Sequence, residues 1–195
     1  MIRLHGAGDG RLEPEAPACT GRTSWLRRTP PSPVSGGSPR LPYWGGSRKP
    51  SSPSPDGKRA APSAGALYPL ELYVVTPKQV MHYLPDGHRA ETRAVSDLRP
   101  GLKAAAVGQS SVGAAPVVIV VAAVPSRLSH RYGDKAEEFV QIEVGHASQN
   151  ILLQAAALGL AAVPVGSLDP SRVAATLALP PDQTVLYLIP VGHVP

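Results

Sequence analysis

The sequence predicts an α+β fold in which a mixed central sheet is flanked by helices and one long helix is buried. Three observations point to it. Two β-rich runs, "LELYVV" (70–75) and "VMHYL" (80–84), are separated only by "TPKQ". Later strand-like runs alternate with helical ones. Residues 135–160 form one long stretch with helical periodicity.

Each element has a local reason. "LELYVV" is aromatic, apolar and β-branched, which suits a pleated surface. In "DLRPGLKAAAV" a short helix starts near Pro100, where a missing N–H costs little. "PVVIVVAAV" (116–124) is apolar without alternation and reads as a central strand. In the long helix, Ala136, Val140, Val144, Ala147, Ile151, Ala155 and Leu158 follow steps of three and four, forming one stripe. Its second half is apolar nearly all round, so it is expected to be buried on several sides. "AAVPV" (161–165) reads as a strand, "PSRVAATLAL" as a helix capped by Asp169, and "TVLYLIPVGHV" (184–194) as a last strand.

The chain divides by composition. Residues 1–55 form an irregular or disordered head rich in Pro, Arg, Ser and Gly, and 56–195 carry the orderly pattern. Prolines such as Pro30, Pro31, Pro33, Pro39, Pro42, Pro50, Pro53 and Pro55 block helix interiors and remove ladder donors. Two readings of this head stand: a flexible tail, or the product of a shifted GC-rich reading frame. Residues 1–59 hold ten Lys/Arg against four Asp/Glu, whereas the remainder holds nine against ten. The basic balance thus sits outside the orderly part and has no aromatic interleaving, so no nucleic-acid partner is expected. Cys19 is the only cysteine, which excludes an intrachain disulfide and a cysteine zinc cluster. "APVVIVVAAV" is too short to span a bilayer, and the N-terminus lacks an apolar leader. A cytoplasmic protein without a membrane partner is expected.

Most simple motifs fail. No G-x-G-x-x-G follows a strand, and no Walker A run occurs. Ser63 lacks a nucleophile elbow and an S-x-x-K partner, so it reads as a turn residue. Glu143 and His146 have E-x-x-H spacing, but the further carboxylates of a di-iron bundle are missing. No metal is expected, and His146 reads as an interior or interface histidine. Arg131 and Tyr132 place a cation beside a phenol that could transfer protons, or form a loop tyrosine packed on the long helix's start.

The segments "DGKRAAPSAGALYPLELYVV", "HRYGDKAEEFVQIEVGHASQNILLQAAALGLAAVPVGSLD" and "VLYLIPVGHV" occur in this order. Together they resemble the SagB-type (McbC-like) dehydrogenases of the nitroreductase family. The resemblance implies a nitroreductase-like fold, FMN, and a homodimer whose long helix forms the dimer core. It also implies oxidation of thiazoline and oxazoline rings in ribosomally made peptides, with biosynthetic partner proteins.

Site residues follow from it. Pro62, Ser63, Ala64 and Gly65 match the loop that approaches the flavin from the partner subunit, with Tyr68-Pro69 making an extended entry into the strand. Pro164, Val165, Gly166 and Ser167 match the segment along the flavin ring. Arg131 and Tyr132 fall at a catalytic Lys-Tyr pair, so Tyr132 would be the base, because an arginine stays protonated. His193 stands where an Arg is common. One departure keeps a second reading open. "LRRTPPSPVSGG" puts prolines where family members have an Arg-rich helix that grips the FMN phosphate. A flavin-poor member acting as a peptide- or protein-binding subunit would fit that departure.

Overall fold

Short polar turns build one side of the sheet. β1 (Leu70–Val75) turns into β2 (Val80–Leu84) through Thr76, whose hydroxyl accepts from the backbone N–H groups of Lys78 and Gln79 at 3.3 and 3.1 Å. The computed structural model describes residues 59–193. The expected head at 1–55 lies outside them.

β2 turns into β3 (Arg89–Ala94), an edge strand that sequence reasoning missed. Its sequence "RAETRA" is exposed except at Ala94, so no apolar alternation marked it. It is held by its ladder to β2, and charges blunt its free edge. Two further short helices were also missed. These are α2 (Ser110–Ala114) and α3 (Ser126–Tyr132).

The sheet order is β3-β2-β1-β4-β6-β5, with β4 at Val117–Ala123, β5 at Ala161–Ala162 and β6 at Thr184–Gly192. Every pairing among these strands is antiparallel, which corrects the expected mixed sheet. The physical reason is the placement of β6. β4 and β5 run in the same direction, but β6 enters between them, so like-directed strands never become neighbours.

β4 is apolar throughout because both faces are covered. Val118, Val120 and Ala122 pack with Leu188 against α1 (Arg99–Ala105), α2 and α5 (Pro170–Leu177). Ile119 and Val121 point the other way with Ile189, onto Val144 and Ile151 of α4 (Ala136–Ala157). Leu102, Leu128, Leu188 and Ile189 are fully buried. Each such side chain contributes roughly 1.5–3 kcal/mol. At one end of the second face, Ala123, Leu128, Ala136 and Val140 form a smaller cluster with α3. No helix among the described residues is long and apolar enough to cross a membrane.

Six residues of the predicted α4 stripe are buried, whereas Leu158 is exposed beyond the helix end. Asp169 caps α5 as its spacing implied, its carboxylate accepting from Arg172 N–H at 3.1 Å. Such a cap is worth about 1 kcal/mol.

The expected strand at 161–165 is paired only at its ends. Ala161 faces Gly192, Ala162 faces Val191, and Val165 exchanges both backbone bonds with Leu188 at 2.8 and 3.1 Å. The register is unbroken. Val163 therefore stands opposite Pro190, which has no N–H to donate, and the ladder opens there.

Candidate functional site

The turn before β1 is built against steric preference. Gly65, Ala66 and Tyr68 all have positive φ, at 59°, 57° and 47°. For Ala66 and Tyr68 this is a sparsely populated region, and it costs on the order of 1–3 kcal/mol per residue. Tyr68 was expected to be extended because a proline follows it. Its left-handed backbone corrects that expectation, and surrounding contacts supply the reason. Tyr68 N–H donates to Ser63 Oγ at 2.9 Å, its carbonyl accepts from Arg127 Nη1 at 2.9 Å, and the Arg59 guanidinium lies 3.9 Å from its ring centroid.

Two further supports hold the turn. Glu143, 5% exposed on α4, accepts from Ala64 N–H at 2.7 Å and from the Ser63 hydroxyl at 3.1 Å, both at Oε1. Arg127 also pairs with Glu71, whose other oxygen meets His82 Nε2 at 2.7 Å. His82 stacks on Tyr73, and the Tyr73 hydroxyl donates to Gln183 at 2.8 Å. Burial pushes the Tyr73 phenol up, outweighing that hydrogen bond.

Gly65 faces the predicted catalytic pair. A Cβ on Gly65 would lie 2.9 Å from Tyr132 Oη and 3.0 Å from Arg131 Nη1. The phenol oxygen and the guanidinium therefore meet one point of the turn's backbone. Both residues end α3 and do not lie in a loop. Gly133, with φ 54°, stops that helix. Tyr132 is half-buried and edge-on to Phe139 at 4.8 Å, while Arg131 is exposed.

The predicted site residues thus divide in two. Pro62 and Gly65 are exposed, Ser63 and Ala64 half-buried, and the turn they form meets Arg131 and Tyr132 through Gly65 and Ala64, at the end of the sheet where Leu70 faces Ala123. Pro164, Gly166 and Ser167 are exposed, and Val165 is buried among residues of the opposite face. His193 is exposed after Gly192, at the far end of β6 from Thr184. Eight steps of strand separate those ends, about 26 Å. His193 is thus remote from the turn, whereas Val165 pairs with Leu188 midway along β6.

Glu143 and His146 do not converge either. The carboxylate turns inward to the 63–68 turn, and His146 is exposed rather than interior in the chain. Sequence reasoning missed what Glu143 does, although a signal was present. Position 143 lies three residues after Val140 and four before Ala147, on the buried stripe itself. A carboxylate there requires donors.

Against known proteins, the pattern of the nitroreductase family matches residues 47–193. A relative from Methanocaldococcus jannaschii that is named as a nitroreductase is 35% identical over 143 residues, spanning 70% of this chain and 71% of that one. Among solved structures, a nitroreductase from Anabaena variabilis superposes with a TM-score of 0.66 at 29% identity, over 68% of this chain and 29% of that chain. The E. coli microcin synthetase McbBCD complex with truncated pro-MccB17 bound shares the fold, with a TM-score of 0.68 at 24% identity over 77% of this chain and 60% of that chain. The chain spans less than two thirds of either solved structure. The α+β sheet with α4 across one face, and the match over 47–193, make this chain a member of the nitroreductase family, an oxidoreductase class.

Proposed function

We propose that this chain is a cytoplasmic FMN-dependent oxidoreductase that removes hydrogen from azoline rings in a peptide, with two copies completing the site. The seating of Gly65 on Tyr132 and Arg131 is the observation that carries this reading. It supports a proton-transfer group beside an exposed turn of small residues, and nitroreductase-family members typically bind FMN.

The residues present fit a flavin. A flat ring system needs small residues and accessible backbone beside it. Exposed Gly65 and Ala66 offer one such surface, and exposed Gly166 and Ser167 offer another. Pro62–Gly65 of one copy and Pro164–Ser167 of the other would hold the ring. His193 would lie near them as a polar contact. When bound, FMN supplies the hydride acceptor. The chain's own part is to orient the peptide and take the proton. An arginine cannot be the base, so the Tyr132 oxygen, having first given its own proton to solvent, receives the proton from the ring carbon. Arg131 offsets negative charge at the phenol oxygen or holds the peptide.

Gly166 tests the placement. Its Cβ position lies 3.0 Å from Tyr187 Cε1, so a large side chain must project away from the sheet or displace that ring. Gly166→Leu is expected to strip flavin absorbance from purified protein while circular dichroism stays unchanged. Full flavin occupancy in that variant would reject the placement. If wild-type protein takes up no FMN in a fluorescence titration, the second reading stands instead. That reading, a flavin-poor peptide-binding subunit, is favoured by the prolines of "LRRTPPSPVSGG".

The outer side of α4 supports a homodimer through that helix. Ile142 and Leu153 are 47% and 59% exposed, and Leu158 just beyond the helix end is 53% exposed, with Gly145 and Ala156 leaving room for close approach. Sedimentation is expected to show a dimer that Leu153→Glu converts to monomer. A folded wild-type monomer at micromolar concentration would contradict it.

A further inference from the structure

Two observations about the 63–68 turn belong together. The turn holds three residues at positive φ, two of which are not glycine. Its polar groups converge on one buried carboxylate. Glu143 Oε1 accepts from the Ala64 N–H and the Ser63 hydroxyl, and Ser63 Oγ in turn accepts from the Tyr68 N–H. The Ser63 hydroxyl has one proton and spends it on Glu143, which orients its lone pairs toward Tyr68. A single acceptor on α4 therefore secures both ends of the turn.

We propose that Glu143 is a positioning residue: it touches no reacting atom, but it holds the strained turn so that the Gly65 backbone seats on Tyr132 and Arg131. Only its catalytic consequence rests on the flavin reading; the conformational part stands without it. The requirement is for a hydrogen-bond acceptor at Oε1. Glutamine has an oxygen that can occupy the same place, and alanine has none. Alanine also leaves a backbone N–H without its partner, and the strained turn loses the acceptor that Ala64 and Ser63 share.

The test compares Glu143→Gln, Glu143→Ala and Ser63→Ala in the full chain by amide hydrogen exchange, followed by steady-state quinone reduction with added FMN and a reduced nicotinamide as the electron donor. Glu143→Ala is expected to speed exchange at Ala64 and Tyr68 by about tenfold or more, with β4 and β6 amides unchanged. Glu143→Gln is expected to restore most of the protection. Ser63→Ala removes only the second arm, so Tyr68 should exchange faster while Ala64 stays protected. This keeps the proposal testable if Glu143→Ala fails to fold. In the loaded protein, Glu143→Ala should lower kcat more than it raises KM, and Glu143→Gln should recover it. Wild-type protection at Ala64 and Tyr68 in Glu143→Ala would overturn the proposal. So would a glutamine variant as loose as the alanine one. Failure of wild-type protein to bind FMN would sink the flavin reading but leave the exchange results to decide the role of Glu143.

Discussion

Gly65→Val is expected to destabilise the protein and to move Tyr132. Gly65 has a φ of 59°, a conformation that a β-branched residue adopts only under strain. Its new Cβ would also come within 2.9 Å of Tyr132 Oη and 3.0 Å of Arg131 Nη1. The two neighbours differ in how they can respond. Arg131 is exposed and can swing its guanidinium into solvent. Tyr132 is half-buried and packed edge-on to Phe139, so it can move only by disturbing the cluster with Leu128 and Ala136. Backbone strain of about 1–3 kcal/mol and overpacking of about 1–3 kcal/mol then add, because they arise from different atoms. Gly65→Ala carries the same close contact with less strain and should fall below the valine variant in cost. Urea unfolding is the measurement. A valine variant with the wild-type midpoint and slope would show that the turn does not rest on Tyr132.

How far the sequence foretold this site can be judged residue by residue. β1, β2, β4, β6, α4 and α5 were legible because burial on a known face leaves a pattern, as in Val118 and Val120 against Ile119 and Val121. β3 was not, because its residues face solvent and only backbone pairing keeps it in the sheet. β5 was overextended because Pro190, far away in sequence, withholds the donor that would face Val163. In the candidate site, the resemblance marked Gly65 and Tyr132 separately as site residues, and their closeness within one chain was not foreseen, because no periodicity joins the turn before β1 to the end of α3. The left-handed Tyr68 was invisible, because Arg127, which holds its carbonyl, is distant in sequence, and Ser63 and Arg59 reach it only once the turn has formed. Glu143 was visible as a charge on a buried stripe, but its E-x-x-H spacing with His146 suggested a different chemistry.

The second large effect concerns the phenol oxygen of Tyr132. Tyr132→Phe removes that oxygen and keeps the ring that packs on Phe139, so fold and turn should survive. Aromatising an azoline breaks a C–H bond by proton loss and passes a hydride to the oxidised flavin. Reducing a quinone needs only hydride delivery from flavin that an added reduced nicotinamide has reduced, and solvent protons. Loss of a general base lowers a rate by about 10²- to 10⁴-fold. Azoline oxidation should therefore fall by that factor while quinone reduction is unchanged, and Arg131→Ala should give a smaller loss, because Arg131 assists and does not take the proton.

The ratio of azoline oxidation to quinone reduction, measured on the same FMN-loaded preparations of wild type and Tyr132→Phe, bears most directly on the proposed chemistry. A ratio that drops by about 100-fold or more in the variant, with the quinone rate intact, is the predicted result. An azoline rate equal to wild type in Tyr132→Phe would contradict it, and quinone reduction by a wild type that never oxidises azolines would leave the flavoprotein but reject the substrate.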